Sequence, residues 1–100
     1  MFEMPKISTD QLSEKIAKNP NLKLLDVRTP QEYEQGHIKQ AENFPLEKIQ
    51  EYKGDKDQTL YVICRSSRRS EQAAQMLSLM GYDVYNVAGG MLDWHGEVVE

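Results

Sequence analysis

The stretch TLYVICRSSRRSEQAAQMLSLMG, residues 59–81, places a β-branched and aromatic run, a polar loop and an amphipathic helix in direct succession. TLYVIC (59–64) has the composition of a buried strand. Ala73, Ala74, Leu77 and Met80 share one face of a helix predicted from about Ser67 or Arg68 to Met80, and Gly81 supplies its stop. At the junction stands the chain's only cysteine, Cys64, followed by Arg65, Ser66, Ser67, Arg68, Arg69 and Ser70.

The same alternation runs outward in both directions. Towards the N-terminus, Ser8 and Gln11 have capping-box spacing, Ile7 is placed to staple onto Leu12, and NPN (19–21) ends that helix. LKLLDV (22–27) reads as a buried strand. Thr29-Pro30-Gln31-Glu32 then forms a second capping box with proline at the first helical position, opening a short helix that ends at Gly36. AENF (41–44) reads as a short strand and LEKIQEY (46–52) as a modest helix. Beyond residue 81, DVYNV (83–87) reads as a strand, then come Gly89-Gly90 and a final helical stretch from Met91 to His95. This order predicts an α/β fold with a mostly parallel central sheet and helices on both faces. Such sheets bind ligands at their carboxyl edge, where Cys64 falls.

A chain of 100 residues fits a single domain, 1–100. Its one cysteine allows no internal disulfide, MFEMPKISTDQL lacks the form of a signal peptide, and no apolar run reaches membrane-spanning length. The expectation is a cytoplasmic protein with no membrane partner. The net charge of −4 argues against nucleic acid as a partner. Residues 64–70 nevertheless carry +3, which leaves −7 on the other 93. A cationic loop on an acidic body points to a small anion.

Taken alone, a cysteine ending an apolar run is a packing residue, and a basic run is a solvated face. The conjunction of strand end, arginine-rich loop and helix start carries a different meaning. Loop N–H groups, the positive end of the helix and the arginine field all favour a thiolate over a thiol. Ser66, Ser67 and Ser70 supply hydroxyl donors to an anion in the same place.

Three ordered segments resemble the rhodanese family of sulfurtransferases: DVRTPQEYEQGHIKQAENFPL (26–46), CRSSRRS (64–70) and GYDVYNVAGGMLDW (81–94). The resemblance covers nearly the whole chain. It implies a parallel-sheet fold and a catalytic Cys64 that carries a persulfide, with Arg65, Ser66, Ser67, Arg68, Arg69 and Ser70 binding substrate. It also implies an anionic sulfur donor, an external thiol acceptor (a small molecule or a protein), and no metal or organic cofactor. One position departs from the family. Ser67 stands where many rhodaneses have glycine, and a positive φ there would strain a serine.

Two other functions fit parts of the pattern. A phosphatase or arsenate reductase would space cysteine and arginine by five residues, but Ser70 occupies that position and Arg69 comes one residue early. A non-catalytic binding module of the same fold would dispense with the cysteine. His37 and His95 have no evident link to Cys64, and the resemblance makes His37 a structural loop residue. Asp26 and Arg28 are expected to pair locally, Arg28 with Glu32 one turn away. Tyr33, Tyr82, Trp94 and the methionines read as packing residues.

Overall fold

The computed structural model describes residues 4–100. The reading of the N-terminus as no leader falls partly on residues 1–3, outside that range. Five strands form one sheet: β1 (Lys6–Ile7), β2 (Lys23–Asp26), β3 (Ala41–Asn43), β4 (Leu60–Ile63) and β5 (Val84–Val87). Their order is β1-β5-β4-β2-β3, and every pairing is parallel. Three α-helices connect them: α1 (Thr9–Lys18), α2 (Pro30–Gln35) and α3 (Arg68–Leu79). Short 3-10 segments occupy Leu46–Glu51 and Gly90–Asp93.

Period-two alternation divides the buried side chains between the two sheet faces. Leu25, Val27, Leu60, Val62, Cys64 and Val84 pack with Ala73, Ala74 and Leu77 of α3 and with Ile49. Leu24, Tyr61, Ile63 and Val87 pack on the opposite side with Leu12 of α1, Ile38 and Ala41. Both faces are therefore covered, as parallel sheets require.

The predicted caps form. Ser8 accepts from the Gln11 N–H at 3.1 Å while its own N–H donates to the Gln11 side chain at 2.8 Å. Thr29 and Glu32 repeat the arrangement at 3.2 and 3.0 Å. Helix α3 ends as its glycine foretells. Gly81 takes φ +101°, its N–H reaches the Ser78 carbonyl, and the Tyr82 N–H reaches that of Leu77, which closes a Schellman motif.

Three expectations change. The predicted helix at 46–52 is a 3-10 segment, with Pro45 before it and no side-chain cap. The final helical stretch is a single 3-10 turn that begins at Gly90 and ends at Asp93. Strand β1 was not foreseen, because two residues give no readable alternation; it pairs Lys6 with Asn86 and Ile7 with Val87. From β2 the chain moves outward to β3, and from β4 it moves the other way to β5. The sheet's switch point thus lies between β2 and β4, and the residue after β4 is Cys64.

Candidate active site

Cys64 follows the last residue of β4 at the carboxyl edge of the sheet and is 1% exposed. Its backbone is fixed from the other side of the loop. The Met91 N–H donates to the Cys64 carbonyl at 2.8 Å, and the Leu92 N–H donates to that of Arg65 at 3.0 Å. In a trans peptide the N–H points opposite to the C=O. The Arg65 and Ser66 N–H groups are therefore turned away from residues 90–92. Gly90 permits this approach: a Cβ there would lie 2.5 Å from the Cys64 oxygen and 2.6 Å from that of Arg65. Its φ of +60° suits glycine as well.

Helix α3 supplies further donors. Its first helical bond runs from the Glu71 N–H to the Ser67 carbonyl, so the N–H groups of Arg68, Arg69 and Ser70 precede any acceptor the helix can offer. Ser67 makes no side-chain cap to them. Loop and helix together leave backbone donors and the positive end of a twelve-residue helix in the segment that follows Cys64.

The side chains divide into three groups. Arg65, Ser66 and Arg68 are exposed, and no carboxylate among the described residues pairs with either arginine. Ser70 is fully buried and lies beside the sulfur, where the Cys64 thiol donates to its hydroxyl at 3.3 Å. Ser67 is half-buried with φ +150° and ψ −11°, and it is the one positive-φ residue other than glycine among those described. Arg69 is half-buried and makes two bonds to Glu32, at 2.6 and 3.0 Å.

That last contact corrects the expected Arg28–Glu32 pair. Arg28 turns back onto buried Asp26, with the Nη2–Oδ2 distance at 2.7 Å, and also donates to the Gly36 carbonyl. A local pair does form, but with the residue two positions earlier. Glu32 is thereby left free to reach across to α3. Hydrogen bonds from Arg69 hold the Glu32 carboxyl down to about 2, helped by the Thr29 cap and opposed by burial. The same bonds raise Arg69 above its ordinary value. Arg69 is thus braced across the mouth of the loop by a residue of α2.

His37 is occupied elsewhere. Its ring stacks on Tyr33 with centroids 3.6 Å apart, and its Nδ1 meets the Tyr33 carbonyl at 2.7 Å. Tyr82 is buried in the α3-side core, and Trp94 packs at the edge of the other. Among the described residues, no cluster of three or more His, Cys, Asp or Glu side chains is placed to hold a metal ion. No helix there is long and apolar enough to cross a membrane.

The sequence reading passed over Asn86. This residue is 3% exposed, and its Oδ1 lies 2.5 Å from the Ser70 hydroxyl. The available signal was a polar residue at an inward position of DVYNV.

A family model described as Rhodanese-like domain matches residues 8–97. The chain is 40% identical over 98 residues to "Putative sulfurtransferase YtwF" of Bacillus subtilis, covering 96% of this chain and 95% of that protein. It is 41% identical over 73 residues to "Thiosulfate sulfurtransferase PspE" of Escherichia coli, covering 69% of this chain and 70% of the relative. It spans about half, 52%, of the length of one further curated relative. The crystal structure of a rhodanese-like domain protein from Staphylococcus aureus superposes with a TM-score of 0.87 at 32% identity, over 94% of this chain and 93% of that one.

Two outcomes follow from this geometry. Ser67→Gly relieves a strained φ that costs about 1–3 kcal/mol and adds back about 0.5–1 kcal/mol of unfolded-state entropy, so urea unfolding is expected to show a net gain of about 1 kcal/mol. Glu32→Gln keeps the capping box but loses the ion pair. Because folding depresses the Glu32 carboxyl from 4.5 to about 2, the pair's contribution is complete above about pH 4.5 and disappears as the pH falls through about 2. Thermal melts are expected to show the variant less stable than the parent at neutral pH, with the gap closing at the acid end.

Proposed function

Because the chain belongs to the rhodanese-like domain family, we propose that it is a sulfurtransferase working through Cys64. The observation carrying this reading is a cysteine, 1% exposed, at the end of β4, where the start of α3 leaves backbone donors without a side-chain cap.

In the first step the Cys64 thiolate attacks the outer sulfur of thiosulfate or of a persulfide. The new bond joins the two sulfurs, the donor's S–S bond breaks, and its electron pair leaves with sulfite or a thiolate. Cys64 now carries a persulfide with the negative charge on the outer sulfur. The same N–H groups stabilise that charge, and Arg65, Ser66, Ser67, Arg68, Arg69 and Ser70 bind the incoming anion. In the second step an external nucleophile, cyanide in an assay or a thiol in the cell, takes the outer sulfur and returns the thiolate. With one cysteine in these 100 residues, the acceptor thiol comes from outside them, as a small molecule or a protein. A thiol held reduced for this cycle suits a cytoplasmic location.

Ser70 stands at the position where phosphatase chemistry requires arginine, and Arg69 comes one residue early. Both favour sulfur over phosphate as the group transferred. Thiosulfate-to-cyanide transfer, measured as thiocyanate, is expected in the parent protein and absent in Cys64→Ser, with the two proteins melting at similar temperatures. Full transfer by Cys64→Ser, or hydrolysis of an aryl phosphate by the parent without sulfur transfer, would overturn the proposal.

A further inference from the structure

Ser70 has one hydroxyl proton and three polar neighbours. The Cys64 sulfur lies at 3.3 Å, the Ser67 carbonyl at 3.0 Å and the Asn86 amide oxygen at 2.5 Å. Cys64, Ser70 and Asn86 are all at least 97% buried, which shields these bonds from bulk solvent. Asn86 is also the only polar side chain that β5 directs into the core beneath α3, where its strand neighbour Val84 is apolar.

We propose that Asn86 is a positioning residue for the sulfur chemistry, directing the Ser70 proton through an amide that presents its oxygen to Ser70 when Cys64 is a thiol and its nitrogen to Ser70 when Cys64 is a thiolate. The inference rests on Cys64 being the nucleophile proposed above. The thiol is a donor, so its S–H points at Ser70 Oγ and the Ser70 proton goes on to the Asn86 oxygen or the Ser67 carbonyl. A thiolate is an acceptor and requires the Ser70 proton for itself. Ser70 Oγ then faces Asn86 with a lone pair, and an amide oxygen at 2.5 Å would repel it. Turning the amide brings its NH2 to Ser70 Oγ and removes the conflict, because asparagine carries a donor and an acceptor on one planar group. The thiol proton leaves to water, the Ser70 hydrogen turns to the sulfur, and no bond between heavy atoms is made or broken.

The charged groups around this chain of bonds are each paired with another. Arg69 of α3 senses both Cys64 and Asp26 at the end of β2; Asp26 is held by Arg28, and Arg69 by Glu32 of α2. The variable element is the Asn86 amide.

The test is the rate of Cys64 alkylation by iodoacetamide as a function of pH, in Asn86→Asp and Asn86→Leu, each with Ser70 present and in a Ser70→Ala background. An ionised Asp can only accept, so it keeps the Ser70 proton from the sulfur. Asn86→Asp is expected to slow alkylation about tenfold near neutral pH, with the gap closing at alkaline pH where the sulfur is ionised in both proteins. Leu neither donates nor accepts and is expected to slow it about threefold. In Ser70→Ala the Asp effect falls to the remainder caused by its charge, about threefold or less, and the Leu effect vanishes. Equal factors in both backgrounds would overturn the proposal, since Asn86 would then act by charge or packing alone. Should Asn86→Asp fail to fold, the Leu pair decides the matter by the same comparison. Alkylation does not require sulfur transfer, so a parent protein that alkylates as described but forms no persulfide counts against the sulfurtransferase reading and not against the role of Asn86.

Discussion

The two hydrogen bonds from the Met91 and Leu92 N–H groups to the Cys64 and Arg65 carbonyls hold the loop on which the site depends. They occupy the loop's acceptors from behind and so turn its donors the other way. They are also possible only because position 90 has no side chain to separate the two segments. The proposed anion-binding role needs donors left unsatisfied within the protein, which is costly in a buried place. The Gly90–Asp93 segment resolves that difficulty by satisfying the carbonyls alone.

Other features fix the loop's far end. Ser67 takes a backbone conformation that disfavours any side chain, and the turn it makes brings the start of α3 back over Cys64. Glu32 then ties Arg69 to α2, so the two helix starts nearest the switch point are braced to each other. Buried Asp26 is satisfied by Arg28, and Asn43 closes the same corner with bonds to the Asp26 and Arg28 carbonyls. Breaking such a buried pair would leave an uncompensated charge beside the site, a larger disturbance than loss of the exposed arginines.

Most of the fold was legible in the sequence because its signals are local. The Ser8–Gln11 and Thr29–Glu32 boxes, Gly81 after an apolar stripe, and β-branched runs each declare an element without reference to the rest. Cys64 was legible as a candidate site residue for the same reason, and the backbone tension at Ser67 was legible too. What escaped depends on partners distant in the chain. Strand β1 is defined only by β5, about eighty residues later. Glu32 and Arg69 are 37 positions apart, and a helical rule of one-turn neighbours assigned Glu32 to Arg28 instead. Asn86 sits 16 residues from Ser70 and showed only as a polar interruption in an apolar strand.

The central claim is that Cys64 takes up a single sulfur atom and holds it as a persulfide. Intact-mass measurement of the parent protein and Cys64→Ser, after incubation with thiosulfate and removal of excess donor, tests it most directly. The parent is expected to gain the mass of one sulfur atom, cyanide or a thiol reductant to remove it, and the variant's mass to stay unchanged. A parent protein whose mass does not change under thiosulfate or a low-molecular-weight persulfide, or a variant that gains sulfur equally, would contradict it.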